Sequence, residues 1–246
     1  MEITTERVTM QVDGSPMGGF LARPTTGGPY PGILVFMEIF GVNSHIRDVT
    51  QRVAREGYVA LAIDYYHRTA PGMELGYTQE DIEKGFAQAK QTTTEGLLAD
   101  IKAGIDYLKS RKDVRGDRIG CIGFCFGGYV AYLAATLPDI KATASFYGGG
   151  IAAPPTPGGR PPIVDRTKDI KGFILCLFGT QDTSIPLDQV DKIENELKKH
   201  NIRHKVLRYD AGHGFFCDQR ASYHAPSAQA AWEEVKAMFD RELRKS

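Results

Sequence analysis

The sequence predicts an α/β fold: one doubly wound, mostly parallel sheet edged by an antiparallel N-terminal hairpin, in a single domain over residues 1–246. Three observations predict it. Short continuous apolar runs, of the kind buried parallel strands need, alternate with segments of helical period. A turn signal, Asp13-Gly14, joins two strand-like segments near the start. No linker, repeat or low-complexity stretch interrupts the series, although 246 residues could also hold two small domains.

In order, residues 3–12 alternate weakly as a strand, and 19–23 pair back on them. Residues 31–37 form the first buried run. Ser44 is expected to cap a helix that carries Ile46, Val49 and Val53 and stops at Gly57. A strand over 58–63 follows. Residues 67–95 are polar and less regular, with a helix over 79–90, and are too short for a separate lid domain. Leu97, Leu98, Ile101, Ile105 and Leu108 mark one face of the next helix. Then come a strand from Arg118, a sharp turn, and an apolar helix to Ala135. Residues 143–147, 172–178 and 205–209 read as strands, and 154–162 as a Pro- and Gly-rich loop. Asp188 suits the cap of a helix that begins at 187 or 188 and ends near His200, and 228–243 form the closing helix.

Lys plus Arg equals Asp plus Glu at 30 each, so no net field draws in nucleic acid or an anionic membrane. No apolar run approaches the roughly 18 residues of a membrane span. The N-terminus has neither the basic nor the apolar region of a signal peptide. The four cysteines form no C-x-x-C pair, so thiols kept for chemistry in a reducing cytoplasm are expected. A metal site from Cys125, Cys217 and His213 matches no ligand spacing, and no cofactor is expected.

The chemistry centres on Gly123-Phe124-Cys125-Phe126-Gly127, between the strand and the apolar helix. This is the G-x-S-x-G nucleophile elbow with cysteine in place of serine. It sets the thiol at a helix N-terminus, where the dipole and free amides favour a thiolate and a developing oxyanion. The plain alternative is a buried structural cysteine. Glu38, Cys125, Asp182 and His213 each fall just after a strand end, where open α/β sheets bind ligands. The order nucleophile, acid, histidine is that of the α/β-hydrolases. Cys125 would attack an acyl carbon, His213 would shuttle the proton, and Asp182 would orient His213. The amides of Phe126 and Ile39 would form the oxyanion hole.

Other readings stand beside these. Asp182 could simply form an Asx turn. Asp210 is too near His213 in sequence to orient it across a site. Glu38 could be a base toward the thiol, or half of a surface salt bridge with Arg47 or Arg68. His45, His67, His200, His204 and His224 read as surface or helix-end residues. A non-catalytic fold of this type, binding a ligand or a protein partner, would not need Asp182 and His213 at strand ends.

Glu38-Ile39-Phe40-Gly41-Val42-Asn43, the elbow with Gly128, Gly179-Thr180-Gln181-Asp182 and Ala211-Gly212-His213-Gly214-Phe215 together resemble the dienelactone hydrolases. The resemblance covers nearly the whole chain. It implies a triad of Cys125, Asp182 and His213, and a Glu38 that holds the thiol neutral until substrate displaces it. It also implies hydrolysis of an enol-lactone, 4-carboxymethylenebut-2-en-4-olide, to maleylacetate in aromatic degradation. Family members that act on that lactone bind its carboxylate with arginines. One lies where this chain has Cys217, and the other lies near 79–84, where no arginine occurs. Phe40, Arg68, Lys84 and Arg220 are the candidates for substrate contacts. A thiolate is itself a good leaving group, so a lactone, activated ester or thioester suits it better than an amide. The alternative is a general carboxylesterase or thioesterase. The expected partner is a small-molecule lactone or ester, and the expected state a monomer or weak dimer.

Overall fold

In the computed structural model, which describes residues 1–154 and 159–244, one 8-stranded sheet organises the chain. Strands β1 (Ile3–Val12) and β2 (Ser15–Pro24) form the expected hairpin. Asp13 (φ 49°) and Gly14 (φ 78°) are both left-handed, as a two-residue turn matched to strand twist requires. β2 then pairs antiparallel with β4 (Val59–Ile63). The other strands run parallel: β3 (Tyr30–Phe36), β5 (Val114–Phe124), β6 (Ile140–Phe146), β7 (Phe173–Gly179) and β8 (His204–Tyr209). The order is β1-β2-β4-β3-β5-β6-β7-β8.

Every residue of β4 and all of β3 after Tyr30 are buried, so both faces of the central sheet are covered. That is why these strands read as unbroken apolar runs rather than as alternation. The helices are α1 (Ser44–Arg55), α2 (Gln79–Ala89), α3 (Thr94–Ser110), α4 (Phe126–Ala135), α5 (Leu187–Lys199) and α6 (Ala225–Phe239). Two caps differ from expectation. Asn43, not Ser44, caps α1 by accepting the Ile46 amide at 3.2 Å, and Ser44 instead donates to Gln219. Pro186 precedes α5, so Asp188 lies inside its first turn, where its charge still meets the helix dipole. Of the loop expected over 154–162, residues 155–158 lie outside the described residues.

Two histidines expected at the surface are buried instead. His67 bonds Ser15 Oγ through Nδ1 and Asp100 through Nε2, each at 3.0 Å, tying the hairpin to α3. His45 lies in the first turn of α1 and is fully enclosed. Polar neighbours in sequence did not reveal this, because both histidines turn inward at the ends of buried elements.

From β3 the chain moves toward β4 on one side, whereas β6, β7 and β8 extend on the other side of β5. The β3/β5 boundary is therefore the switch point, where a crevice opens beyond the strand ends. Glu38 follows β3 and Cys125 follows β5.

Candidate active site

β5 ends at Phe124 and α4 starts at Phe126, so Cys125 alone makes the turn. Its backbone sits at φ 56° and ψ −116°. For a residue with a Cβ, such a conformation costs about 1–3 kcal/mol and persists only when its surroundings impose it. Here the surroundings do. A Cβ on Gly123 would overlap the Gly127 carbonyl, and one on Gly127 would overlap the carbonyl oxygens of Phe36 and Met37. The elbow is thus pressed against the end of β3 with no side chain between. The Cys125 amide donates to Phe146 at 3.1 Å, and its carbonyl accepts from Gly128 at 2.9 Å. The residue stays partly exposed while Cys121, Cys176 and Cys217 are buried.

Asp182 uses its two oxygens differently. Oδ1 accepts the Ser184 amide at 2.8 Å, closing an Asx turn, and Oδ2 bonds His213 Nδ1 at 2.7 Å. The turn and the histidine partner coexist. Asp210 is engaged elsewhere, accepting from Gln181. With Nδ1 held by Asp182, Nε2 is the nitrogen left for Cys125. Burial opposes charge on His213, but the Cys125 charge and the bonds to Asp182 and Cys125 outweigh it, and the imidazole is pushed up to about 10.

Phe126 opens α4, so its amide has no partner within the helix. Among the described residues the Ile39 amide also donates to no backbone carbonyl. The loop that bears Ile39 is braced from the end of β4. Tyr65 donates its hydroxyl to the Met37 carbonyl, and Tyr66 donates to the Ile39 carbonyl at 3.3 Å.

Glu38 is fully buried. Arg220 Nη1 donates to its Oε1 at 2.8 Å, and the Tyr77 hydroxyl donates to its Oε2 at 3.1 Å. The Tyr77 oxygen in turn accepts from Asn43 and from the Cys217 thiol. The surface partners expected for Glu38 are taken: Arg47 pairs with Glu74, and Arg68 with Asp13 and Asp100. Among the described residues no hydrogen bond joins Glu38 to Cys125.

Of the candidate substrate contacts, two reach the site and two do not. The guanidinium of Arg220 lies 5.7 Å from the ring centroid of buried Phe40. Arg68 is held at the outer hairpin by its two aspartates, and Lys84 pairs with Glu80 on the exposed face of α2. Arg220 would point elsewhere if 213–220 were helical. The segment instead makes two successive turns, with Cys217 N–H donating to Gly214 and Arg220 N–H donating to Cys217. Gly214 (φ 78°) has no Cβ, and a Cβ there would meet the guanidinium at 2.8 Å.

Replacing Arg220 by Met would leave the Glu38 carboxylate buried and uncompensated. The expected cost is about 3–5 kcal/mol in a urea melt, with most of it regained in the Arg220→Met/Glu38→Gln pair.

Sequence reasoning missed Tyr77, Tyr147 and the burial of His45. Tyr147 was findable, because it directly follows β6 as the other site residues follow their strands. Its ring centroid lies 5.1 Å from that of His213, at a strained φ of 35°.

A profile of the dienelactone hydrolase family matches residues 17–243. The chain belongs to the dienelactone hydrolase family. It is a hydrolase of the carboxylic-ester class. A Synechocystis protein named as a carboxymethylenebutenolidase is 49% identical over 99% of both chains. A Bradyrhizobium protein named as a 2-oxo-3-(5-oxofuran-2-ylidene)propanoate lactonase is 30% identical, covering 95% of this chain and 92% of its own. The crystal structure of a Klebsiella pneumoniae protein named as a dienelactone hydrolase superposes with a TM-score of 0.88 at 30% identity, over 98% of this chain and 100% of the other. Among the described residues, no helix of this dienelactone hydrolase family member is long and apolar enough to cross a membrane.

Proposed function

We propose that the chain hydrolyses a small lactone or activated ester bearing a carboxylate, through a Cys125 acyl-enzyme. One observation carries this reading: Asp182 holds His213 Nδ1 at 2.7 Å, which leaves Nε2 for Cys125, the residue forced into the strained turn. The Cys125 sulfur attacks the acyl carbon as a thiolate, and the His213 imidazolium gives its proton to the departing oxygen. The oxyanion forms beside the amides of Phe126 and Ile39. Water, deprotonated by His213, then releases the acid and restores the thiolate.

A carboxylate on the substrate is supported by Arg220, a cation at the switch-point crevice whose only anionic partner among the described residues is Glu38. Burial works against the Arg220 charge, yet Glu38 and then Cys125 hold its pKa above the ordinary value. A substrate carboxylate that draws on Arg220 would loosen Glu38, and the freed carboxylate could then act on the thiol proton. In this reading substrate binding and activation are coupled through Arg220. The relatives named for butenolide and oxofuran lactone cleavage fit the same substrate class.

With p-nitrophenyl acetate, a burst of nitrophenol near one per chain is expected, absent in Cys125→Ala. Steady hydrolysis unchanged in Cys125→Ala would refute the nucleophile.

A further inference from the structure

Behind Glu38 lies a group of side chains the reaction does not use. His45, at the first turn of α1, is 0% exposed, and neither ring nitrogen has a hydrogen-bond partner among the described residues. Buried polar atoms rarely go unpaired, so such a ring asks for a ligand. Its ring meets Phe124 and Phe216 in T-shaped contacts, at centroid distances of 5.8 and 6.5 Å, and neither ring offers a polar partner. Two groups that can share a ligand with it are close. A carboxylate oxygen of Glu38, a ring nitrogen of His45 and the Cys217 sulfur all lie within 4.8 Å of one another, and all three residues are buried.

We infer that Glu38, His45 and Cys217 form a binding site for a zinc ion, beside the catalytic centre and separate from Cys125. The donor set is one sulfur, one nitrogen and one oxygen, which suits a borderline-soft ion and excludes calcium and magnesium, whose ligands are oxygens. Ligand atoms in a tetrahedral zinc site stand about 3.3–3.8 Å apart, from bond lengths of roughly 2.0–2.3 Å. Atoms within 4.8 Å therefore need only small side-chain shifts to converge. Glu38 has lone pairs to spare: it accepts one bond on each oxygen, so it can keep Arg220 on Oε1 while ligating through Oε2. Binding breaks the Cys217 S–H bond, releases that proton to solvent and forms Zn–S, with no change of oxidation state. The thiolate and the carboxylate bring two negative charges to the ion, with Arg220 still paired to the carboxylate. Sequence spacing hides the set, because the ligands come from three distant segments and no C-x-x-C or H-x-x-x-H pair announces them.

Cobalt(II), added to chelator-treated protein and followed by absorbance, is the test. One ion per chain is expected, with intense tetrahedral visible bands and a sulfur-to-cobalt charge-transfer band in the near ultraviolet, all displaced by one equivalent of zinc. The charge-transfer band should vanish in Cys217→Ser and in Cys217→Ala, and persist in Cys125→Ser. His45→Phe, which keeps the ring packing, should weaken zinc at least as much as the roughly 10–100-fold that outer partners of metal ligands are worth. Circular dichroism melts establish that each variant is folded. Absence of tight cobalt or zinc binding to the wild-type chain would overturn the inference. So would a charge-transfer band that survives both Cys217 variants or disappears in Cys125→Ser. Zinc should also inhibit ester hydrolysis by occupying Glu38. That effect rests on the role proposed above for Glu38, whereas the cobalt spectrum does not.

Discussion

Replacing Cys125 by glycine is expected to abolish ester hydrolysis and to stabilise the protein at the same time. The loss in kcat should be about 10⁶-fold, the scale seen when a triad nucleophile is removed. The gain in stability comes from the backbone. At φ 56° and ψ −116° the Cys125 Cβ is a steric burden that glycine lacks. Relief of about 1–3 kcal/mol of strain is partly offset by about 0.5–1 kcal/mol of extra chain entropy in the unfolded state, leaving about 1 kcal/mol. Cys125→Ala should be equally inactive but without that gain, since alanine keeps the Cβ. The pair of variants separates strain from chemistry. Urea midpoints and steady-state rates read both quantities, and a Cys125→Gly protein less stable than Cys125→Ala would show that the turn is not strained.

Asp182→Asn is expected to cost about 10⁴-fold in kcat while leaving the fold intact. Asparagine retains an oxygen to accept the Ser184 amide, so the Asx turn survives. What changes is the face toward His213, where an amide donor would meet Nδ1 and favour the wrong tautomer. The pH profile should move as well. In the native protein His213 is pushed up to about 10, so its protonated form, which serves the leaving group, persists through neutral pH and is lost as pH rises through about 10. Removing Asp182 takes away one of the bonds that raise it, so the alkaline limb of kcat/KM should shift to lower pH. An unshifted limb in the variant would mean that some other group sets it.

These expectations lean on residues that were legible to different degrees. Cys125 and Asp182 could be found because each follows an apolar run that reads as a buried strand, and His213 because it stands between glycines just after a shorter, more polar strand. The mostly parallel sheet with its N-terminal hairpin followed from the same runs, whereas the order of the strands did not. Glu38 was visible by position but its partner was not. Arg220 reaches it through two tight turns over Gly214, a path that residue types alone do not specify. Tyr77 enters from the irregular stretch after β4, where no periodicity fixes direction. His45 looked like a solvent-facing residue near a helix start, and the rings that pack on it, Phe124 and Phe216, come from distant segments. The shift of the α1 cap from Ser44 to Asn43 has a simpler cause. Both residue types cap well, and local sequence does not rank adjacent candidates.

The central claim is that the reaction passes through an acyl group on the Cys125 sulfur. Intact and peptide mass spectrometry of protein quenched within milliseconds of mixing with p-nitrophenyl acetate tests it most directly. An activated ester acylates faster than the thioester hydrolyses, so the intermediate accumulates. The account predicts one added acetyl group per chain, on the peptide that contains Cys125, forming with the burst and absent in Cys125→Ala. Hydrolysis that proceeds with no adduct, or with the acetyl group on Cys217 alone, would contradict it.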